Sequence, residues 1–135
     1  MKTVFADADY WIALLHPKEE LHERAKSATG EGLIRIVTSD WVLIEVLNFF
    51  SDKGPALRQA VSRACDSIRN SPNVEVVPAL RSDLEEATAL YRQHADKEWS
   101  AVDCHSLKVM RDRQLTDALT RDHHFEQMGF KALLR

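Results

Sequence analysis

An α/β fold with a mostly parallel sheet of about five strands is predicted by three observations. Short apolar runs alternate with helical stretches along the whole chain, the order that builds a parallel sheet with helical crossovers. The runs are continuous rather than alternating, as in strands covered on both faces. Three runs lead into an acid, Asp7, Asp40 or Asp122, and ligands in such folds sit beyond the carboxyl ends of the strands.

Taken in order, the first strand is Thr3–Ala6. Helices over Tyr10–Leu15 and Pro17–Ala28 follow it, with Pro17 suited to a first helical position. Leu33–Val37 is the second strand, and Trp41–Phe50 the next helix, with Asp40 as its N-cap. Pro55–Arg69 is helical and Pro72 closes that region. Val74–Val77 is the third strand. Helices over Asp83–His94 and Ala101–Arg111 come next, the second capped by Ser100. Ala118–Thr120 is the fourth strand. A short turn over His123–Met128 stops at Gly129, and Phe130–Leu134 is the fifth strand.

The 135 residues, 44% hydrophobic and 29% charged, fit one domain over residues 1–135 with a single core. No apolar run is long enough to cross a bilayer and the N-terminus lacks a long apolar h-region, so the expected location is cytoplasmic, with no membrane partner. Cys65 and Cys104 lack metal or redox spacing and read as reduced, partly buried side chains. A net charge of −3 argues against coating nucleic acid by charge alone. It leaves a nuclease open, because bound divalent cations offset clustered acids.

The acids carry the chemistry. Asp7 ends the first strand, and Asp9 follows two residues later; Asp9 either caps the next helix or stands within reach of a cation held by Asp7. Glu45 sits inside the apolar segment DWVLIEVLNFF, sharing a helical face with Trp41, Asn48 and Phe49. A lone Glu belongs in solvent, but the flanking residues leave little polar surface, which favours a partly buried functional acid. Asp103 lies in WSAVDCHSLKVM, where Ser100-x-x-Asp103 has the form of a capping box; on local chemistry alone that structural role wins. Asp122, in DALTRDHHF, caps the short helix after it, and Asp117 reads as a turn residue.

Carboxylates packed together repel and raise one another's pKa values. A hard divalent cation with oxygen ligands removes the conflict. It also activates water and polarises a phosphodiester. The chain has no GxSxG motif, no convincing Cys-His pair, no Walker loop and no GxGxxG fingerprint.

Read together, the motifs resemble the PIN domain, the nuclease fold of VapC-type toxins in toxin–antitoxin pairs. FADADYWIALL matches the strand ending in DxS or DxD before an aromatic-apolar run. VTSDWVLIEVLNFF matches the strand and helix with an internal acid. WSAVDCHSLKVM matches Ser-x-x-Asp opening a helix, and ALTRDHHF followed by GFKALL matches the closing Thr-x-Asp strand and its neighbour. The resemblance implies a three-layer α/β/α fold and a Mg²⁺- or Mn²⁺-dependent ribonuclease. Its metal-binding and catalytic acids are Asp7, Glu45, Asp103 and Asp122, with Asp9 as a further ligand and Thr120 orienting the last acid or a water. A homodimer and a cognate antitoxin protein are also implied.

Two rivals are weighed beside it. In a haloacid-dehalogenase-like phosphatase, DADYW would be the DxD box with Asp7 as nucleophile, and Glu45 and Asp103 would have no role. A PIN-like interaction module without activity would not need the retained acids. The six histidines lack HExxH spacing and read as solvated or locally hydrogen-bonded; His105 and His124 lie near the acids, the other reading for them being substrate contact. Lys108, Arg111, Arg113 and Arg121 read as solvated surface, the other reading being phosphate contacts. Trp11, Trp41 and Trp99 read as core, with base stacking open to any that is exposed. Leu84, Ala87, Leu90 and Tyr91 form a helical stripe for the core or a dimer surface.

Overall fold

The computed structural model describes residues 2–29 and 34–135 of the chain. It contains strands β1 (Lys2–Ala6), β2 (Ile34–Ser39), β3 (Val74–Val77), β4 (Asp117–Leu119) and β5 (Lys131–Ala132). The helices are α1 (Ala8–Leu15), α2 (His22–Ala28), α3 (Asp40–Phe50), α4 (Pro55–Arg69), α5 (Asp83–Gln93), α6 (Ala101–Asp112) and α7 (His123–Gln127). The strands form one five-stranded sheet in the order β3-β2-β1-β4-β5, and each neighbouring pair is parallel. Helices flank it.

The strand order decides where a ligand fits. From β1 the chain steps to β2 and β3 on one side, then returns to lay β4 and β5 on the other. The direction reverses between β1 and β4, and in open parallel sheets that reversal leaves a crevice at the carboxyl ends. Ala6 pairs with Leu119 there, so Asp7 and Thr120 emerge side by side from neighbouring strands.

The core accounts for the apolar runs. Val4 and Phe5 of β1, Val37 of β2, and Ala118 and Leu119 of β4 are buried, which is why those runs do not alternate. Val42, Val46 and Phe50 bury one face of α3. The five-residue α7 is anchored by Phe125, fully buried and stacked on Phe5 at 6.3 Å between ring centroids. Truncating a core aromatic of this kind costs about 3–5 kcal/mol, far more than so short a helix supplies alone.

Several boundaries differ from expectation. The second helix begins at His22, not Pro17. Residues 17–21 instead make turns, closed by Glu19 N–H to His16 O at 2.9 Å and His22 N–H to Glu19 O at 3.0 Å. The turns bring His22 Nδ1 within 2.7 Å of the Ala13 carbonyl, near the carbonyl-rich end of α1. The N-cap of α3 is Ser39, whose hydroxyl accepts from Val42 N–H at 3.1 Å. Asp40 lies inside the first turn and accepts from Ala79 N–H at 2.9 Å. Asp117 is not a turn residue: it opens β4, buried, with Lys2 Nζ 2.5 Å away. Of the expected second strand, Leu33 lies outside the described residues. No helix among the described residues is long and apolar enough to cross a membrane.

Candidate active site

A cavity of about 650 Å³ opens at the β1–β4 crevice, and six carboxylates line it: Asp7, Asp9, Glu45, Glu98, Asp103 and Asp122. Asp7 follows β1 directly and is the N-cap of α1, without using its side chain to cap it. Asp9 sits in the first turn of α1. Glu45 comes from the middle of α3, half-buried. Asp103 is at the third position of α6, and Asp122 is the N-cap of α7. The cavity thus gathers all four principal acids expected from sequence, together with Asp9.

Thr120 ties the first two acids to the last. Its N–H bonds to Ala118 O at 3.0 Å, a tight turn that takes Thr120 out of the ladder. Its hydroxyl lies 3.0 Å from Asp7 Oδ2 and 3.0 Å from Asp9 Oδ2, and it accepts from Asp122 N–H at 3.0 Å. A hydroxyl has one proton to give. With Asp7 protonated, Asp7 donates to Thr120 and Thr120 donates to Asp9, so all three groups are satisfied. Asp9 Oδ2 also accepts from Arg121 N–H at 3.1 Å.

Asp103 completes a capping box and lines the cavity at the same time. Asp103 N–H donates to Ser100 Oγ and Ser100 N–H donates to Asp103 Oδ2, each at 3.0 Å, which completes the capping box. His124 Nδ1 lies 3.1 Å from the same Oδ2 and 3.3 Å from Asp122 Oδ1. Capping therefore engages one of the two Asp103 oxygens. Asp122 Oδ1 accepts from His124 N–H at 2.9 Å as the cap of α7.

Burial sets the protonation of this cluster. Asp7 is held well above the usual carboxylate range, first by burial and then by the charge of Asp9. Glu45 is pushed up to about 7 by burial and by the charges of Asp103, Asp9 and Asp122. Asp103 is also raised by burial, against the Ser100 N–H and His124, which favour its ionised form. Acids held in this state suit a cation. The donor set is mostly carboxylate oxygen, the chemistry of a hard divalent ion, and an ion there would stabilise the ionised forms that burial disfavours. Asp122, His123 and His124 also offer ligand atoms within 4.8 Å of one another, a mixed set that the histidine spacing did not suggest; His124 Nδ1 is already turned to Asp103 and Asp122.

The remaining walls were partly legible. Asn48 and Phe49 lie three and four residues after Glu45 and line the cavity with it, as the helical period requires. Trp41 does not join them: its indole N–H donates to Asp83 Oδ2 at 2.8 Å. Ile12, Glu98 and Ser100 complete the wall. Ile12 was findable as the residue one turn beyond Ala8 and Asp9; Glu98, in the loop before α6, carried no signal. His105 belongs elsewhere, buried 3.4 Å from Asp83 Oδ2.

Residues 4–131 match the family model of the PIN domain. The 23S rRNA-specific endonuclease VapC20 of Mycobacterium tuberculosis, from strains CDC 1551 and H37Rv, is 31% identical over 128 residues, spanning 94% of this chain and 95% of that protein. The crystal structure of Mycobacterium tuberculosis VapC20, a sarcin-ricin loop cleaving toxin, aligns with a TM-score of 0.82 and 27% identity, over 94% of this chain and 95% of that one.

Proposed function

The chain belongs to the PIN domain family, and from that premise we propose that it is a divalent-metal-dependent ribonuclease, the toxin of a toxin–antitoxin pair. The observation that carries this reading is the convergence of Asp7, Asp9, Glu45, Asp103 and Asp122 on one cavity at the β1–β4 crevice. A phosphatase with Asp7 as nucleophile would leave Glu45 and Asp103 without a task.

In this reading Asp7, Glu45, Asp103 and Asp122 hold Mg²⁺ or Mn²⁺, with Asp9 as a further ligand. When bound, the cation neutralises the acids, activates water and polarises the phosphodiester. The chain's own task is to keep the carboxylates in place. Thr120 restrains Asp7 and Asp9 through its hydroxyl. Ser100 and His124 restrain Asp103, and the cap of α7 restrains Asp122. Carboxylates restrained before the ligand arrives need no reorganisation during reaction. No side-chain nucleophile is required.

Ribosomal RNA is the first substrate to test, given the relative's target. A cytoplasmic location and a cognate antitoxin follow from the toxin reading. A homodimer is supported by exposed apolar side chains: the stripe on α5 splits, with Ala87 buried but Leu84 71% and Tyr91 57% exposed, and Ile44 and Leu47 of α3 are also exposed.

The decisive experiment incubates purified protein with ribosomal and mixed RNA in Mn²⁺, Mg²⁺ or chelator, beside Asp7→Asn and Asp103→Asn. Metal-dependent cleavage lost in both folded variants is expected. Full activity in either would remove that acid from the site, and folded protein that neither binds metal nor cleaves RNA would return the chain to the interaction-module reading.

A further inference from the structure

Resting on the ribonuclease reading, we propose that Phe49 and Ile12 form a shelf beside the acids that takes one unpaired nucleobase of the RNA, stacked on the Phe49 ring. The placement follows from helical spacing. Phe49 is four residues after Glu45 on α3, and Ile12 is four after Ala8 and three after Asp9 on α1. Both helices therefore present acid first and apolar surface about one turn on, roughly 6 Å along the axis of α3 and roughly 4.5 Å along that of α1. The shelf is continuous with the cavity. Asp9, Ile12 and Phe49 line both it and a second hollow of about 190 Å³, whose other walls include Ala13, Leu21 and Arg121.

Phe49 is built to present a π face. Its ring is half-buried and meets the buried Phe50 edge-on, at 5.0 Å and 83°. Lys53 Nζ lies 4.4 Å from its centroid. A long, partly exposed side chain is a movable cover. A base arriving on the ring replaces a cation–π contact with stacking, and the ammonium, which also pairs with Asp52 Oδ1 at 3.1 Å, then divides between that carboxylate and a phosphate oxygen. The tryptophans offer no such face beside the acids: Trp11 and Trp99 are buried, and Trp41, its indole N–H on Asp83, lines a separate hollow with Leu84 and Val102. A phenyl ring has no hydrogen-bonding edge, so this contact selects an unpaired base over a paired one without choosing its identity. An RNA chain with its phosphate at the acids carries its neighbouring base toward this shelf, which favours RNA over a protein side chain as the occupant.

The test measures fluorescence anisotropy of a labelled 12-nucleotide mixed-sequence RNA, single-stranded and as a duplex, with Mg²⁺. The protein carries Asp7→Asn to prevent cleavage, alone or combined with Phe49→Ala, Phe49→Leu or Phe49→Trp. Phe49→Ala is expected to weaken single-strand binding about tenfold, with duplex binding changed less than twofold and Phe49→Trp restoring affinity. If Phe49→Ala lacks a cooperative melt, Phe49→Leu keeps the packing without the π face and is expected to lose at least about threefold. Equal single-strand affinity in all folded variants, or equal loss for strand and duplex, overturns the shelf. If wild type still cleaves RNA in that case, the ribonuclease reading stands and the apolar wall belongs to a protein partner. Absence of RNA binding and of cleavage overturns both.

Discussion

The hydroxyl of Thr120 lies 3.0 Å from Asp7 Oδ2 across 113 positions of sequence, joining the ends of two neighbouring parallel strands. The contact couples the position of one acid to the geometry of the turn that carries another, because the same hydroxyl accepts the Asp122 N–H.

Thr120→Val keeps the shape and removes that hydroxyl. Stability is expected to fall by about 1–2 kcal/mol, the cost of polar groups left without a partner. Cleavage is expected to fall by at least about tenfold as Asp7 and Asp9 lose their common restraint. Thr120→Ser should recover most of both. Denaturant melts and initial cleavage rates measure the two effects separately; normal cleavage in Thr120→Val would deny the hydroxyl an orienting role.

The metal-free protein should lose stability as pH rises from 5 to 8. Asp7, Glu45 and Asp103 all have folded-state pKa values above their ordinary ones. The folded chain then binds more protons than the unfolded one, so stability is full below the ordinary values and is lost as pH rises through the folded ones. For Glu45 that window runs from 4.5 to about 7. Asp83, Asp117 and Glu75 are shifted the other way, and their loss falls at lower pH, outside the window. Melting temperatures in chelator across this range check the slope, which Glu45→Gln should flatten. Added Mn²⁺ should raise the melting temperature more at pH 8 than at pH 5, since protons and cation compete for the same oxygens.

Ser100→Ala removes half of the capping box and the hydroxyl that anchors the Asp103 N–H. A loss of about 1 kcal/mol is expected from the cap. Activity per folded molecule should also fall, because Asp103 belongs to both the cap and the site. Ser100→Thr should restore both. A stability loss with unchanged cleavage would separate the two roles.

Asp83→Ala should unfold the protein more easily without touching the chemistry. Asp83 Oδ2 accepts from the Trp41 indole and Leu80 N–H, each at 2.8 Å, with His105 Nε2 at 3.4 Å. Burial pushes its pKa up, but these donors outweigh it and hold the carboxyl below its usual range. Leaving them unpaired is expected to cost about 3 kcal/mol. Thermal melts and cleavage rates normalised to folded protein test this; a selective loss of cleavage would connect the network to the active site.

The fold was largely readable because its signals are local. Continuous apolar runs, Pro55 at the start of α4, Ser100 before α6 and Gly129 after α7 each act within a few residues, and the elements stand close to where they place them. Pro17 and Asp40 misled for the same reason. Each carries a local preference for a helix start, and each lost it to a competing contact: the turns leading to His22, and the Ser39 cap.

What the sequence determined by itself was the order of elements and the presence of acids at strand and helix ends, since periodicity and turn chemistry depend on neighbours in the chain. Only the tertiary structure decided where those acids meet and how deeply they are buried. The strand reversal beside β1 sets Asp7 next to Thr120, α3 turns Glu45 inward, and the buried Phe125 carries His124 to Asp103. Burial and electrostatics depend on atoms distant in sequence but near in space, and so the raised pKa values and the restrained carboxylates exist only in the folded chain.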